Sequence, residues 1–204
     1  LAFLHALLQR ECGACWAFSA ASAIEWHWAI KKNSTVTVSR QQMVDCVQSN
    51  FGCNGGLIEN ALAYAQSSGL MSDAEYPYRS RVTQCNYDPA KVILRTNGFE
   101  KLSNLKEPAL TCILKEKGPI AIGLDASARG LQHYDTGLFN DLDCNGEYLN
   151  HAVVLVGYGV DQNGRKYWIA QNSWSNKWGE DGFFRILFGE NHCGVAVTPL
   201  IPVL

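Results

Sequence analysis

The rhythm of apolar and polar positions changes about halfway along the chain. From residue 15 to about 32, Trp16, Phe18, Ile24 and Trp28 supply bulk while Ala17, Ser19, Ala20, Ala21 and Ala23 leave small faces between them, a pattern that predicts a helix buried in the middle of a domain. Lys31 and Lys32 suit the negative end of such a helix, and Asn33 can adopt the left-handed stop. Ser39-Arg40-Gln41-Gln42 has the form of a capping box and predicts a short helix reaching about Cys46. Gly52-Cys53-Asn54-Gly55-Gly56 predicts a tight turn, followed by a helix over about 57–68 that Gly69 closes. Tyr76-Pro77-Tyr78 reads as loop. Beyond Val92 short β-rich runs take over at 119–124, 152–156 and 167–170, with a helical segment near 105–117 before them and a hairpin loop at 160–165. The expected architecture is α+β with two lobes, a helical half over 1–100 and a β-rich half over 101–204.

Composition narrows the function classes. The chain has 204 residues, 47% apolar and 18% charged, with a net charge of -2, so it carries no electrostatic footprint for nucleic acid or an anionic membrane. No apolar run approaches the ~20 residues that cross a bilayer. Leu1–Leu8 is apolar but lacks a basic leader and a cleavage site, and is expected to be part of the fold. Eight cysteines without a His-x3–5-His pair point to a disulfide-forming compartment. Spacing alone leaves their pairing open. If one cysteine is a free nucleophile, at least one more is unpaired; Cys112, inside the helical run Leu110-Thr111-Cys112-Ile113-Leu114, is expected to be a small buried hydrophobe.

Chemistry concentrates on Cys15, at the first turn of the long helix. Unpaired N–H groups and the aligned peptide dipoles there favour the thiolate, which is the nucleophile. A thiolate needs a proton acceptor, and the acceptor needs a group that orients it. Of the five histidines, His5 and His27 lie in the helical half with packing roles, and His133 and His192 lie in loop-like surroundings. His151 opens a strand, a rigid place from which to aim a ring into a cleft. Asn172 ends another strand, and its amide oxygen can accept an imidazole N–H without adding charge. The Cys15 N–H, at a helix start, can donate to an oxyanion, while Gln9 by itself reads as polar surface. A rival remains: Cys12-Gly13-Ala14-Cys15 is a C-x-x-C at a helix start, the form of a thiol–disulfide oxidoreductase. Asn33-Ser34-Thr35 is an N-glycosylation sequon.

Cys12-Gly13-Ala14-Cys15-Trp16, Leu149-Asn150-His151-Ala152-Val153, Asn172-Ser173-Trp174 and Trp178-Gly179-Glu180-Asp181-Gly182-Phe183 together resemble the papain family of cysteine endopeptidases. Gln41-Gln42-Met43-Val44-Asp45-Cys46 and Gly179 to Arg185 are similar to the cathepsin L/F-like branch, which includes viral cathepsins. The resemblance implies a papain-like two-lobe fold, with a helical N-terminal lobe, a β-barrel-like C-terminal lobe and the cleft between them. It implies peptide-bond hydrolysis through a Cys15 thioester, with His151 as acid and base, Asn172 orienting it, Trp174 covering that hydrogen bond and Gln9 at the oxyanion. It further implies the pairs Cys12–Cys53, Cys46–Cys85 and Cys144–Cys193. Gly55 and Gly56 would form an edge for extended substrate. Leu57, Ile58, Gly123, Leu149 and, at the floor, Thr198 would line an apolar pocket with no carboxylate there, and Asn150 would add polarity beside it. No cofactor or metal is implied. The implied setting is a secreted or lysosomal/endosomal monomer that meets polypeptide substrates, a propeptide and cystatin-like inhibitors. Arg10 and Ser175 stand where the family pattern has glycine, and the alternative reading is an inactive papain-like protein that only binds.

Overall fold

The computed structural model describes residues 7–204, so most of the opening run expected to join the fold, His5 included, lies outside the described residues. Helix α1 spans Cys15–Lys32, and Asn33 ends it in the left-handed conformation at φ 49° and ψ 36°. The short helix α2, Arg40–Cys46, begins where the Ser39 hydroxyl accepts the Gln42 N–H at 2.9 Å. Helix α3 covers Ile58–Ser67, α4 covers Glu107–Glu116 and the single turn α5 covers Arg129–Gln132. The strands are β1 (Leu70–Met71), β2 (Val92–Leu94), β3 (Gly98–Lys101), β4 (Ile120–Leu124), β5 (Leu138–Phe139), β6 (His151–Val160), β7 (Lys166–Gln171), β8 (Phe183–Leu187) and β9 (Leu200–Val203). β1 and β2 form a small antiparallel pair. The other seven strands form one α+β sheet in the order β3-β9-β4-β6-β7-β8-β5, antiparallel except for β5 against β8.

This sheet separates two cores, and strand periodicity sorts residues between them. Ala121 of β4, Ala152 and Val154 of β6 and Leu200 of β9 join a cluster built on α1, α2 and α3. Their alternating neighbours Ile120, Ile122, Leu124, Val153, Leu155 and Ile201 join a second cluster with Trp168, Phe184 and Leu110. The face toward α1 is poor in bulk because the helix brings Ala17, Ala20, Ala21 and Ala23, all fully buried, against it. Small residues on both sides let the helix approach the strands closely.

Two expectations need correction. Cys112 is exposed and free, not buried. The buried face of α4 carries Leu110 and Leu114, one turn apart, and residue 112 projects from the opposite side. Second, β6 runs four residues beyond the expected 152–156, through Gly157 and Gly159, past an irregularity in its pairing with β7. Glycine reads as a breaker in sequence, but here it marks a bulge in a continuing strand.

Three disulfides close the loops: Cys12 to Cys53, Cys46 to Cys85 and Cys144 to Cys193. In the chain-entropy account, loops of this length give about 4 kcal/mol each.

Under the helical cluster lies an ion pair. Arg40 Nη1 meets Glu25 Oε1 at 2.5 Å and Arg40 Nη2 meets Oε2 at 2.6 Å, both side chains almost wholly buried, and the Val38 N–H adds a third bond to the carboxylate. Removing the guanidinium would strand a buried charge, so Arg40→Ala is expected to lower unfolding free energy by about 3–5 kcal/mol. Urea unfolding of protein alkylated at Cys15 measures this, and a loss below about 1 kcal/mol would contradict the burial argument.

Candidate active site

The N-terminus of α1 has no side-chain cap: Ala14 precedes it, and Ala17 N–H and Phe18 N–H both return to the Ala14 carbonyl at 2.8 and 3.1 Å. The N–H groups of Cys15 and Trp16 are therefore left for the thiol and for whatever lies beyond it. The loop before the helix is held by Gly13, whose N–H donates to the Cys53 carbonyl at 2.8 Å. A Cβ on Gly13 would stand 2.6 Å from that carbonyl oxygen, so the glycine is a requirement of close approach. Because Cys12 is bonded to Cys53 while Cys15 is free, the two are not an exchanging pair, which overturns the oxidoreductase rival.

A cleft of about 330 Å3 brings together Cys15, Gly55, Gly56, Leu57, Ile58, Gly123, Leu149, Asn150, His151 and Thr198, all named from the sequence. Glu59, Ala152 and Leu200 also line it. His151 Nε2 and Asn172 Oδ1 lie 2.7 Å apart at the buried ends of β6 and β7. The Trp174 ring sits 4.8 Å from the imidazole, centroid to centroid, and Trp178 stacks edge-on against Trp174 at 5.1 Å, so solvent is kept from the His–Asn bond. Gln9 stands behind the cleft lining. Its N–H donates to the Ser173 carbonyl at 2.9 Å, its Oε1 accepts the Ser173 hydroxyl at 2.5 Å, and its Nε2 donates to the Cys12 carbonyl at 3.1 Å. An amide nitrogen carries two hydrogens, so one is not taken by the Cys12 carbonyl.

Sequence reasoning missed Asn50. Its buried side chain accepts the Leu57 N–H at 2.9 Å and donates to the Leu57 carbonyl at 3.1 Å, clamping the chain just after Gly56. A Cβ on Gly56 would meet the Asn50 side chain at 2.4 Å. No motif flags such a clamp; only the fold brings residue 50 to residue 57. Across the cleft, a Cβ on Gly123 would stand 3.0 Å from Thr198 Oγ1 and 3.2 Å from Leu149, so the glycine gives the pocket its depth. Asn150 turns its side chain to the Ala126 N–H at 2.8 Å and toward the buried Asp125, away from any charge in the cleft.

Among the described residues one trio has the composition of a metal site, Cys144, His192 and Cys193, but its two sulfurs are bonded to each other and offer no thiolate.

The electrostatics reverse one expectation. Burial pushes the Cys15 thiol up from its ordinary value, and the backbone N–H groups of Ala152, Trp16 and Cys15, which favour the thiolate, do not outweigh it. Burial likewise holds His151 down to about 4, with the Asn172 hydrogen bond pulling upward. Burial thus favours the neutral form of each group near neutral pH.

Arg10 and Ser175 both hold positive φ, 56° and 87°. Non-glycine residues there cost about 1–2 kcal/mol each.

A profile-level match to the papain family cysteine protease covers residues 4–203. Mouse procathepsin L is 38% identical over 203 residues, covering 96% of this chain, and a cathepsin L-like protein of Caenorhabditis elegans is 40% identical over 200 residues, again 96%. The chain spans 60% and 59% of the length of these two relatives. The structure of digestive procathepsin L 3 from Tenebrio molitor superposes with a TM-score of 0.95 at 37% identity, covering all of this chain and 67% of the other.

Alkylation of Cys15 by an uncharged reagent reads the pair directly. With His151 held to about 4, the ring gains a second proton for the pair only below that value, so the rate is expected to be sustained from neutral pH down and to fall as pH drops through about 4. Asn172→Ala removes the bond that raises the His151 value and should move that fall to lower pH. A fall centred near the ordinary histidine value of about 6.5 would contradict the burial of the ring.

Proposed function

The chain belongs to the papain family of cysteine proteases, and from that premise we propose that it is a thiol-dependent endopeptidase of the cathepsin L-like kind. The observation that carries the reading is the free Cys15 at an uncapped helix start, in one cleft with a histidine already bonded to Asn172. Cys15 Sγ attacks the scissile carbonyl while its proton passes to His151; the oxyanion takes the Cys15 N–H and the free hydrogen of Gln9 Nε2. His151 returns the proton to the leaving amine, a Cys15 thioester remains, and water activated by His151 hydrolyses it. Asn172 and Trp174 fix and cover the ring throughout.

The two lobes, 1–100 and 101–204, are proposed to present opposite walls of the cleft: Gly55, Gly56, Leu57 and Ile58 from one and Gly123, Leu149 and Thr198 from the other. Extended polypeptide lies along the Gly55-Gly56 edge. The pocket takes the side chain two residues before the cleaved bond, and its aliphatic walls favour Leu, Val or Phe. Two relatives, one by sequence and one by structure, are procathepsins by name, and a propeptide filling the same cleft before activation is part of the proposal, as are cystatin-like inhibitors and a monomeric state. The three disulfides support a secreted or lysosomal/endosomal setting. Asn33 is exposed at the end of α1, which leaves its sequon open to a glycan.

Cys15→Ser should abolish peptide hydrolysis with the fold intact by circular dichroism; full turnover in that variant would sink the mechanism. Gln9→Ala should lower kcat by about 10²–10³ through loss of one oxyanion donor. Unchanged kcat with a raised KM would instead assign Gln9 to substrate binding alone.

A further inference from the structure

We infer that Lys101 sets the charge preference of the substrate pocket by occupying Glu59, so that the cleft holds a latent subsite for a basic side chain. The inference rests on the reading of this cleft as the substrate site. Glu59 is the one carboxylate among the described residues that line it. It stands in the first turn of α3, two residues from Leu57, and its Oε1 lies 2.7 Å from Lys101 Nζ. Lys101 ends β3, where the register sets it directly opposite Leu200 of β9, and Leu200 is itself a lining residue. Directly paired residues project to the same face with Cβ atoms about 5 Å apart. The ammonium is therefore carried to the end of the cleft by sheet register, and the carboxylate by the start of a helix from the other wall. The next carboxylate along β3, Glu100, is taken by Lys117 at 2.6 Å and does not compete for Lys101.

Both partners of the Glu59–Lys101 pair keep about half of their side-chain surface in water, 40% and 52%. An exposed pair of this kind is weak and open to exchange. With Lys101 in place a substrate arginine or lysine meets a neutralised carboxylate beside a cation, and Leu, Val or Phe is preferred. With Lys101 replaced by glutamine, Glu59 is free to pair with the incoming cation.

The test compares peptides with Arg or Leu two residues before the cleaved bond. In Lys101→Gln the Arg-to-Leu ratio of kcat/KM is expected to rise about three- to fivefold, the range for one exposed charge partner, and to shrink in 0.5 M NaCl. Glu59→Gln/Lys101→Gln should return the ratio to the parent value. A ratio unmoved by Lys101→Gln, or equally raised in the double variant, overturns the inference and leaves the pair a surface link between α3 and β3. If the parent hydrolyses neither peptide, the endopeptidase reading fails, and the same ratio is then read as dissociation constants on Cys15→Ala protein, where the same shift supports the subsite and its absence overturns it.

Discussion

The close packing of α1 against the central strands is the constraint on which the site depends. Ser19 Oγ donates to the Val153 carbonyl at 2.8 Å, Trp26 Nε1 donates to Gln171 Oε1 at 2.8 Å, and His27 Nε2 meets the Pro119 carbonyl at 2.8 Å. One helix thus holds β6, β7 and the entry to β4. The first of these bonds also sets the site's register. Cys15 lies one turn before Ser19, about 6 Å along a helix axis, and His151 lies two residues before Val153, about 6.7 Å along a strand. Both residues line the same cleft. The second bond fixes the residue before Asn172, so the orienting amide is located by the same helix. The small residues of α1 and of the strand face opposite it let the helix lie close enough for Cys15 and His151 to line one cleft.

That constraint explains which features the sequence made legible. The limits of α1 follow from local signals, a lysine pair and an asparagine stop, and these stand where the helix ends. α2 follows from its cap in the same way. β3, β8 and β9 were not expected as strands. Gly98-Phe99-Glu100-Lys101 is half polar, and Leu200-Ile201-Pro202-Val203 is short and contains proline, so neither run declares a period; each is a strand because it finds the other antiparallel. Cys15 and His151 could be put forward because each opens an element of regular structure, and Asn172 through its Asn-Ser-Trp motif. Ala152, Glu59 and Leu200 in the cleft lining, and Asn50 clamping Leu57 beside it, could not, since their place depends on turns and register that no local pattern encodes.

The reversal at Cys15 has the same origin. From sequence, the helix start should lower the thiol, and its N–H groups do act in that direction. The packing that places the helix end against β6 also strips water from the sulfur and from the imidazole, and desolvation of an isolated charge outweighs a few hydrogen bonds. A helix terminus in water and the same terminus pressed against a sheet are different electrostatic environments. Here the second favours the neutral form of both groups.

Backbone strain collects where the N-terminal segment meets the loop after β7. Leu8 pairs with Trp174, Gln9 N–H donates to the Ser173 carbonyl at 2.9 Å, and Ser175 N–H reaches the Leu7 carbonyl at 3.3 Å. The Tyr78 hydroxyl adds a bond to the Gln9 carbonyl at 2.8 Å. Arg10 and Ser175, each in a conformation that suits glycine, flank this short ladder on its two sides. Their strain is tolerated because the ladder and the Tyr78 bond over-determine the path of both segments. Between them lie Gln9 and Trp174, the amide proposed to bind the oxyanion and the ring over the His–Asn bond, so the chain turns sharply beside both side chains. A glycine at either position would take the same φ without strain but would also admit more conformations. The side chains thus exchange some stability for a narrower choice of path beside the groups that must not move.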